Sequence, residues 1–172
     1  MTVKKIDWKL ESGLHRHMRT RIFAVTLAFS ILAGGVCFAA DPQMGTWKLN
    51  EKKSKLGHGM GKNNTVVYSK GMIGNVKVTI DGTDEHGKAT HNEWNGRFDG
   101  KDHSVTGDPN SDMRSYTKVN DHTMNFMAKK GGKVTMSGEI IVATDGKSRT
   151  VTAHGMTPKG KKVMTTAVYD KQ

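Results

Sequence analysis

Cysteine is almost absent from this sequence: the 172 residues include a single one, Cys37. It lies in an N-terminal segment that we expect to be removed from the mature protein. The remaining chain is therefore predicted to lack disulfides, thiolate nucleophiles and cysteine metal ligands. Without such cross-links the fold must be stabilised by its hydrophobic core, and about 130 residues are enough for one domain with an adequate core.

Other features are missing as well. No stretch of useful length has apolar residues at helical spacing, which argues against an α-helical domain. There is no Gly-x-Ser-x-Gly or Ser-x-x-Lys motif for a serine nucleophile, and no glycine-rich loop between a strand and a helix for binding phosphate. Aromatic residues make up 6% of the chain and are too dispersed to form a nucleic-acid-binding face with the basic residues. These absences argue against a serine hydrolase, a P-loop enzyme and a nucleic-acid-binding module.

The longest apolar run, residues 22–38, has the layout of a secretory signal peptide. Three arginines precede it, and the small residues Ala39 and Ala40 follow it. The run is short for a membrane helix, which needs roughly 20 apolar residues. We therefore predict that residues 1–40 are a signal peptide, that the mature protein is periplasmic or secreted, and that no transmembrane anchor remains. Met18 begins a complete signal sequence by itself and is predicted as the true start, with a genuine long leader as the alternative.

Positive charge exceeds negative charge, since the chain has 27 basic and 16 acidic residues. Residues 1–40 hold six of the basic and two of the acidic residues, so 21 and 14 remain, a net charge of about +7. This charge favours anionic partners such as the anionic lipids of a cell envelope or fatty carboxylates. Because the lysines are scattered among acidic residues, a solvated basic surface without a partner is the main alternative.

Residues 41–172 are predicted to form a single all-β domain. Runs rich in Val, Thr, Ile, Tyr and Met alternate with turns built on glycine, which is typical of strands joined by hairpins. The predicted strands are one at Trp47 and nine that span residues 65–70, 75–81, 88–98, 103–106, 113–119, 123–129, 133–144, 149–156 and 161–169. Short turns pair neighbouring strands antiparallel, so we expect about ten strands closing into an up-and-down barrel, with a sandwich as the alternative.

Alternation within these strands predicts which residues face the interior. The three inward rows are Val76, Val78 and Ile80; Val134, Met136, Ile140 and Val142; and Met124, Phe126 and Ala128. These rows predict an interior lined by methionine and aliphatic residues, with few aromatic ones. The glycine-rich segment 51–63 is predicted to be irregular and is long enough to lie across a barrel opening; a loose surface loop is the favoured alternative.

Both ends of this domain resemble known barrel families. Gly45-Thr46-Trp47-Lys48-Leu49 resembles the first strand of fatty-acid-binding proteins, its Gly-x-Trp core is similar to the first lipocalin signature, and residues 166–171 resemble the last strand of the fatty-acid-binding proteins. The chain is also similar to a group of uncharacterised exported bacterial proteins that begin Gly-Thr-Trp-Lys-Leu-Asn. These calycin-like resemblances imply a lipocalin-like barrel around a small hydrophobic or amphiphilic ligand. Gly45 and Trp47 would then close one end of the barrel.

The resemblance fails at one ligand position. In the fatty-acid-binding family an Arg-x-Tyr pair on the last strand binds the fatty carboxylate, and the matching residues here are Ala167 and Tyr169. Because a buried carboxylate needs a charged partner, the family's fatty-acid mode is not expected to be copied. Arg114 could supply the charge from another strand, or it could face solvent. The residues predicted to bind the ligand are Tyr169, Tyr116, Arg114, Phe126, Met124, Met136 and Ile140.

Two polar groups are candidates for metal or acid–base chemistry. His91 and Glu93 share one strand face and His103 follows on the next strand, so a metal site or acid–base pair is conceivable, although an exposed polar face explains them better. Methionines and histidines could also hold Cu(I). The set is Met60, Met124, Met127, Met136, Met156 and Met164 with His58 and His154. Core packing explains the methionines better, and no metal or cofactor is predicted.

The sequence therefore favours a non-catalytic binding module. The leading hypothesis is an exported barrel that holds a small hydrophobic or amphiphilic molecule, with Tyr169 as the polar anchor. The first alternative is a packed barrel without a ligand that serves as a structural or interaction protein of the cell envelope. A hydrolase or isomerase that uses His91, Glu93 and His103 comes third. The volume of the internal cavity distinguishes the first two.

Overall fold

The computed structural model describes residues 41–157 and 160–172. The predicted signal peptide at residues 1–40, including the start predicted at Met18, lies outside the described residues. No helix within the described ranges is long and apolar enough to cross a membrane.

Ten strands and two short 3-10 turns make up the described chain. The strands are Gly45–Leu49 (β1), Lys62–Lys70 (β2), Val76–Thr83 (β3), Ala89–Gly96 (β4), His103–Thr106 (β5), Met113–Lys118 (β6), Thr123–Lys130 (β7), Lys133–Val142 (β8), Ser148–Met156 (β9) and Lys162–Lys171 (β10). The 3-10 turns are Glu51–Lys53 and Met72–Gly74. All ten predicted strands are present, most within two residues of their predicted ends.

The strands form one closed antiparallel barrel in which each strand pairs with its neighbours in sequence. Closure is made by β1 and β10, where Trp47 pairs with Lys171 and Leu49 pairs with Tyr169. The predicted up-and-down barrel, with the tryptophan strand beside the tyrosine strand, is confirmed. Closure leaves no free sheet edge that could pair with another chain.

The largest difference from the predicted bounds is at β2 and β3, which extend further together than expected. Lys62 pairs with Thr83 and Asn63 with Gly82, with a bulge between Asn63 and Thr65. A Cβ atom at Gly82 would collide with the carbonyl oxygen of Lys62, so the backbones can approach this closely only because residue 82 is glycine. Gly82 lies just after the predicted strand end at residue 81, and it permits the pairing to continue to Thr83.

The closed end of the barrel is the end covered by residues 41–44. Trp47 is fully buried there and its indole nitrogen donates to the carbonyl oxygen of Gln43 at 2.9 Å. Gln43 is also buried, and its side-chain amide donates to the carbonyl oxygen of His122 at 3.3 Å. Gly45 has φ +112°, and a Cβ there would lie 3.1 Å from Cε of Lys171. These contacts agree with closure of one end by Gly45 and Trp47.

The opposite end, which we call the mouth, is partly covered by the irregular segment between β1 and β2. Lys55 forms an isolated antiparallel bridge with Thr166, and the Gly57 amide donates to Oγ1 of Thr165 at 3.1 Å. Leu56 lines the cavity inside the mouth. The segment is thus anchored along β10 and lies at the barrel opening instead of being a loose loop.

Aromatic residues fill much of the interior, which corrects the expectation of a wall with few of them. All seven that follow residue 40 belong to the core or pack against it: Trp47, Tyr68, Trp94, Phe98, Tyr116, Phe126 and Tyr169. Although dispersed in the sequence, those within strands occupy inward-facing positions. The predicted rows also face inward, except for Val134. A bulge in the β7–β8 pairing sets Val134 opposite Lys129 on the outer face, and its side chain is 47% exposed.

Candidate functional site

An internal cavity of about 210 Å³ opens at the mouth. Its deep part is lined by Tyr68, Arg149 and Tyr169, and its outer part by residues such as Met60 and Glu85. This volume equals that of about seven water molecules at roughly 30 Å³ each, and it is smaller than the roughly 300–1,000 Å³ of a drug-sized pocket. The barrel therefore has room for one small molecule.

The cavity brings together six of the seven residues predicted to bind a ligand. Tyr169, Tyr116, Arg114, Phe126, Met136 and Ile140 all line it. The seventh, Met124, is fully buried in the hydrophobic core and is not among the lining residues. Its inward orientation agrees with the strand alternation, but its position is closer to the closed end, where side chains fill the space.

Arg149 is the main site residue that sequence reasoning missed. It lies on β9 directly opposite Tyr169 of β10, and it is 2% exposed. Its guanidinium carbon is 4.8 Å from the ring centroid of Trp47, 4.9 Å from that of Tyr68 and 5.0 Å from that of Tyr169. Three aromatic rings therefore surround the cation, and cation–π attraction contributes to holding it there.

The charge of Arg149 has no counterion in the described chain. Its Nε and Nη1 atoms are buried without a hydrogen-bond partner among the described residues, and no carboxylate there forms a salt bridge with it. A guanidinium keeps its charge in proteins, and burying an unpaired charge is costly. Arg149 is therefore a buried cation with two donor atoms, Nε and Nη1, that the described fold does not use.

Arg114, the arginine that the sequence nominated, is in a different environment. Its Nη2 lies 3.0 Å from Oδ2 of Asp108, and its two terminal nitrogens lie 3.4 Å from Oδ1 of Asn92. The hydroxyl of Ser111 donates to the same Asp108 oxygen at 2.5 Å. Arg114 thus faces the cavity, as hypothesised, but its charge is already neutralised.

Two tyrosine hydroxyls near Arg149 remain protonated at neutral pH. Burial raises the pKa of Tyr169 to about 12, although the positive charge of Arg149 opposes the shift. Burial also raises the pKa of Tyr68, and the nearby Tyr116 adds to this effect. A protonated phenol can donate a hydrogen bond, so both hydroxyls could donate to an anion beside Arg149.

The predicted His/Glu cluster is divided between two faces of the barrel. His91 and Glu93 lie on the outer face of β4, where His91 Nδ1 is 2.7 Å from Asp81 and Glu93 is 2.7 Å from Lys77. His103 pairs in register with Arg114 and packs edge-on against Trp94, with 5.6 Å between ring centroids. His103 is on the inner face, so these three residues do not form one site.

The described residues also contain no group of three or more His, Cys, Asp or Glu side chains that could hold a metal ion. Met124 is buried and Met127 is exposed on the same strand, as their odd spacing requires. The pKa of His91 is raised mainly by its hydrogen bond to Asp81, which gives an ordinary surface ion pair.

A sequence signal for Arg149 does exist. Arg149 lies two residues before Val151 and four before Ala153 on β9, so the three side chains face the same side of the strand. Both apolar residues line the cavity. An arginine on the apolar face of a predicted strand is a candidate buried charge. The register that sets it opposite Tyr169 is a property of the folded barrel.

Comparisons with known proteins give only distant similarities. No protein-family model matches this chain, and no curated protein matches it. One similar solved structure is EF1p2_mFAP2b bound to DFHBI, with 11% identity, a TM-score of 0.45, and coverage of 76% of this chain and 94% of that one. Another is a redesigned beta barrel, mFAP1, bound to DFHBI, with 16% identity, a TM-score of 0.39, and coverage of 76% and 95%.

Proposed function

We propose that this protein is a non-catalytic binding protein for a small amphiphilic molecule that carries one negative charge. The observation that carries the proposal is Arg149, a fully buried guanidinium that lines the cavity and has no counterion within the described chain. A carboxylate or similar anion bound at Arg149 would supply that counterion. The apolar part of the ligand would lie along the cavity wall toward the mouth.

The chemistry around Arg149 fits an anion better than a neutral group. A guanidinium forms short, charge-assisted and often bidentate hydrogen bonds with a carboxylate. The hydroxyls of Tyr68 and Tyr169 could donate to the same group. Because Asp108 already neutralises Arg114, Arg149 is the one uncompensated charge described in the deep part of the cavity, which favours a monoanion over a dianion.

The cavity also limits the size of the ligand. About 210 Å³ suits a short-chain or compact molecule, so a long fatty acid would have to extend through the mouth. Apolar lining residues such as Ile140, Val151 and Ala153 would contact the hydrophobic part. Burying that part would add roughly 25 cal/mol for each Å² of apolar surface removed from water.

The alternative is a ligand-free barrel with a structural or interaction role. The specific observation in its favour is the set of three rings within 5.0 Å of the Arg149 guanidinium, because cation–π contacts could satisfy a structural cation. In that case Arg149 would contribute to stability and not to binding.

A matched pair of probes tests the proposal. Octanoate and 1-octanol have the same chain and differ in charge, so we expect octanoate to bind the wild type about tenfold or more tightly, as for hydrogen bonds to a charged group. Isothermal titration calorimetry, or displacement of a bound environment-sensitive fluorophore, measures both affinities. Failure of both probes to bind would favour the ligand-free alternative.

Two arginine substitutions test whether the anion binds at Arg149. Arg149→Met should remove the preference for octanoate over octanol. Arg97→Met, the same change at an exposed arginine, should leave it intact. Native mass spectrometry of protein purified from its own cells would identify a co-purifying ligand. Equal affinity for octanoate in the wild type and in Arg149→Met would contradict the proposed anion site.

Export and a calycin-like relationship are part of the same proposal. The signal-like residues 1–40 support export to the periplasm or beyond, and the ten-stranded closed barrel agrees with the lipocalin-like and fatty-acid-binding-protein-like end motifs. N-terminal sequencing of the protein recovered from the cell envelope or the medium should give a chain that starts at Ala40 or Asp41. Recovery of the full chain from the cytoplasm alone would contradict export.

A further inference from the structure

One side of the mouth carries exposed positive charges that form no salt bridge within the described part of the chain. We call this side the basic lip; it consists of Lys130, Lys133, Lys161 and Lys162, at the ends of β7 to β10. All four side chains are exposed, and none forms a salt bridge with a described residue, unlike Lys62, Lys77, Lys118 and Lys129.

Stability does not explain the basic lip. Lys130 and Lys133 face each other directly across the β7–β8 hairpin. Like charges at directly opposed positions destabilise a strand pair. Lys161 and Lys162 are adjacent in sequence at the start of the neighbouring β10, so they add to the repulsion instead of relieving it. Asp112 supplies one negative charge at this turn, where its Oδ2 accepts from the Gly131 amide at 2.8 Å, and a partner with further negative charge would relieve the remaining repulsion.

Exposed apolar side chains lie beside these lysines. Val134 is 47% exposed, Met156 is 52% exposed and Met164 is 62% exposed, and all three line one surface groove formed by β8, β9 and β10. Lys162 pairs in register with Met156, so cation and thioether are direct neighbours. The same lip therefore offers both positive charge and apolar surface.

The groove lies on the outer face of the strands that form the cavity wall here, and Thr135 and Met136 line both the groove and the cavity. The other side of the mouth is less basic, because Asp84 and Glu85 line the cavity there beside Lys62, and Asp108 is paired with Arg114. An anionic surface is therefore attracted more strongly to the basic lip than to this side.

We infer that the basic lip docks on an anionic lipid bilayer. Lysines near an anionic membrane are each worth about a fivefold gain in binding, and neighbouring apolar side chains insert at the boundary between headgroups and acyl chains. When the basic lip faces the bilayer, Val134, Met156 and Met164 contact this boundary, and the mouth of the cavity lies beside the bilayer surface. The inference rests on the surface of the barrel and goes beyond the proposed function.

Flotation of the protein with lipid vesicles tests the inference. The vesicles contain equal parts of phosphatidylcholine and phosphatidylglycerol, with pure phosphatidylcholine as the neutral comparison. We expect binding to the anionic vesicles, weakening as salt is added, and much weaker binding to neutral ones. Absence of binding to the anionic vesicles would overturn the inference, and it would leave binding of octanoate in solution unaffected.

Charge reversal at matched positions distinguishes the contribution of the basic lip from that of the protein's net charge. Lys133→Glu with Lys162→Glu should reduce binding to anionic vesicles by about 25-fold or more, that is, about fivefold for each lysine. Lys70→Glu with Lys101→Glu makes the same change in net charge at exposed lysines that form no salt bridge with described residues. This control should bind several times more tightly than the lip variant. Equal losses in the two double variants would mean attraction by net charge only and would overturn the inference.

The apolar contact distinguishes a bilayer from another polyanion. Met164→Gln should weaken vesicle binding severalfold, and soluble polyaspartate should compete poorly. In Met164→Trp, lipids that carry a quencher in the acyl chain should reduce the added fluorescence, whereas Trp47 and Trp94 are buried in the barrel. Efficient competition by polyaspartate, with no effect of Met164→Gln, would assign the lip to a soluble polyanion and overturn the inference.

Discussion

The two buried arginines of the barrel face the same cavity in different electrostatic states. Arg114 is 7% exposed and Arg149 is 2% exposed, so burial does not distinguish them. Arg114 has Asp108 as a counterion and Asn92 as a further acceptor. Arg149 has aromatic rings and no acceptor for Nε or Nη1 among the described residues. Arg114 thus has its counterion within the fold, whereas Arg149 is the charge for which we propose a ligand as counterion.

The comparison also extends to where each arginine lies. Arg114 pairs with Asp108 of the loop between β5 and β6, near the mouth, and thereby fixes that loop to the barrel. Arg149 lies near the closed end, beside Trp47, where a counterion could come only from deep within the cavity. Both residues are arginines, but they depend on different partners. Removing Asp108 from Arg114 and removing the groups around Arg149 should therefore have different effects on stability and on ligand binding.

The largest expected effect follows from removing the counterion of Arg114. Asp108→Asn leaves a buried guanidinium without its carboxylate, and breaking a buried ion pair costs about 3–5 kcal/mol of unfolding free energy. We expect a loss near the lower bound, because the Asp108 side chain is 17% exposed and water can replace part of the interaction. Urea unfolding should show a lower midpoint with an unchanged slope.

Asp121→Asn is the control for that variant. Asp121 pairs with Lys118 at 3.1 Å, but its side chain is 83% exposed. Exposed pairs contribute about 0–1 kcal/mol, so the midpoint should change little. Equal effects of the two substitutions would show that Arg114 does not depend on Asp108.

The next effect concerns the tyrosines beside the two arginines. Tyr169→Phe removes a hydroxyl near Arg149 and should weaken octanoate binding by about tenfold, the usual value of a hydrogen bond to a charged group. Tyr116→Phe is the matched change near Arg114, where Tyr116 helps to raise the arginine pKa despite the opposing effect of burial. It should leave octanoate affinity close to that of the wild type. Calorimetric titration measures the octanoate affinity of the two variants. A larger loss of affinity in Tyr116→Phe than in Tyr169→Phe would indicate that the anion binds at Arg114 and not at Arg149.

A smaller effect is expected from Arg149→Met on the protein without ligand. Removing an uncompensated buried charge relieves its desolvation penalty, while the lost cation–π contacts cost about 0.5–2 kcal/mol. The two effects oppose each other, so the unfolding free energy should stay within about 1 kcal/mol of the wild type. A loss as large as that of Asp108→Asn would contradict the comparison and give Arg149 a structural role.

The sequence was sufficient to predict the barrel, because strand and turn signals are local. Runs of β-branched residues ended by glycine turns located all ten strands, and short turns allowed only antiparallel neighbours. Parity within β8 also predicted correctly that Met136, Ile140 and Val142 face the interior, whereas it left the orientation of Arg114 open. The main error in the bounds, at Gly82, arose because a glycine can permit close backbone pairing as well as a turn.

The candidate site was predicted less completely, since it depends on register between strands. Tyr169 was nominated from a motif on β10, but its partner Arg149 lies on β9 and meets it only through their pairing. His103 was grouped with His91 by proximity in sequence, and pairing with Arg114 turns it to the other face. The aromatic lining was missed because each ring comes from a different part of the chain and no single window contains the cluster.

The smallest expected effect concerns the exposed ion pair of His91 and Asp81, whose charges are screened by solvent, unlike those of the two buried arginines. The hydrogen bond that His91 donates to the Asp81 carboxylate, at 2.7 Å, raises the pKa of His91 above its value of about 6.5 in unfolded chains. A raised pKa in the folded state means that this interaction stabilises the barrel fully below about pH 6.5 and is lost as pH rises through the folded-state pKa. We therefore expect His91→Asn to lower the urea midpoint slightly at pH 6 and not at pH 8.5.

Asp81→Asn should remove the same pH dependence, because it removes the partner that raises the pKa of His91. A larger effect at pH 8.5 than at pH 6 would contradict the assigned sign, and an effect as large as that of Asp108→Asn would mean that solvent exposure does not separate this pair from the buried one.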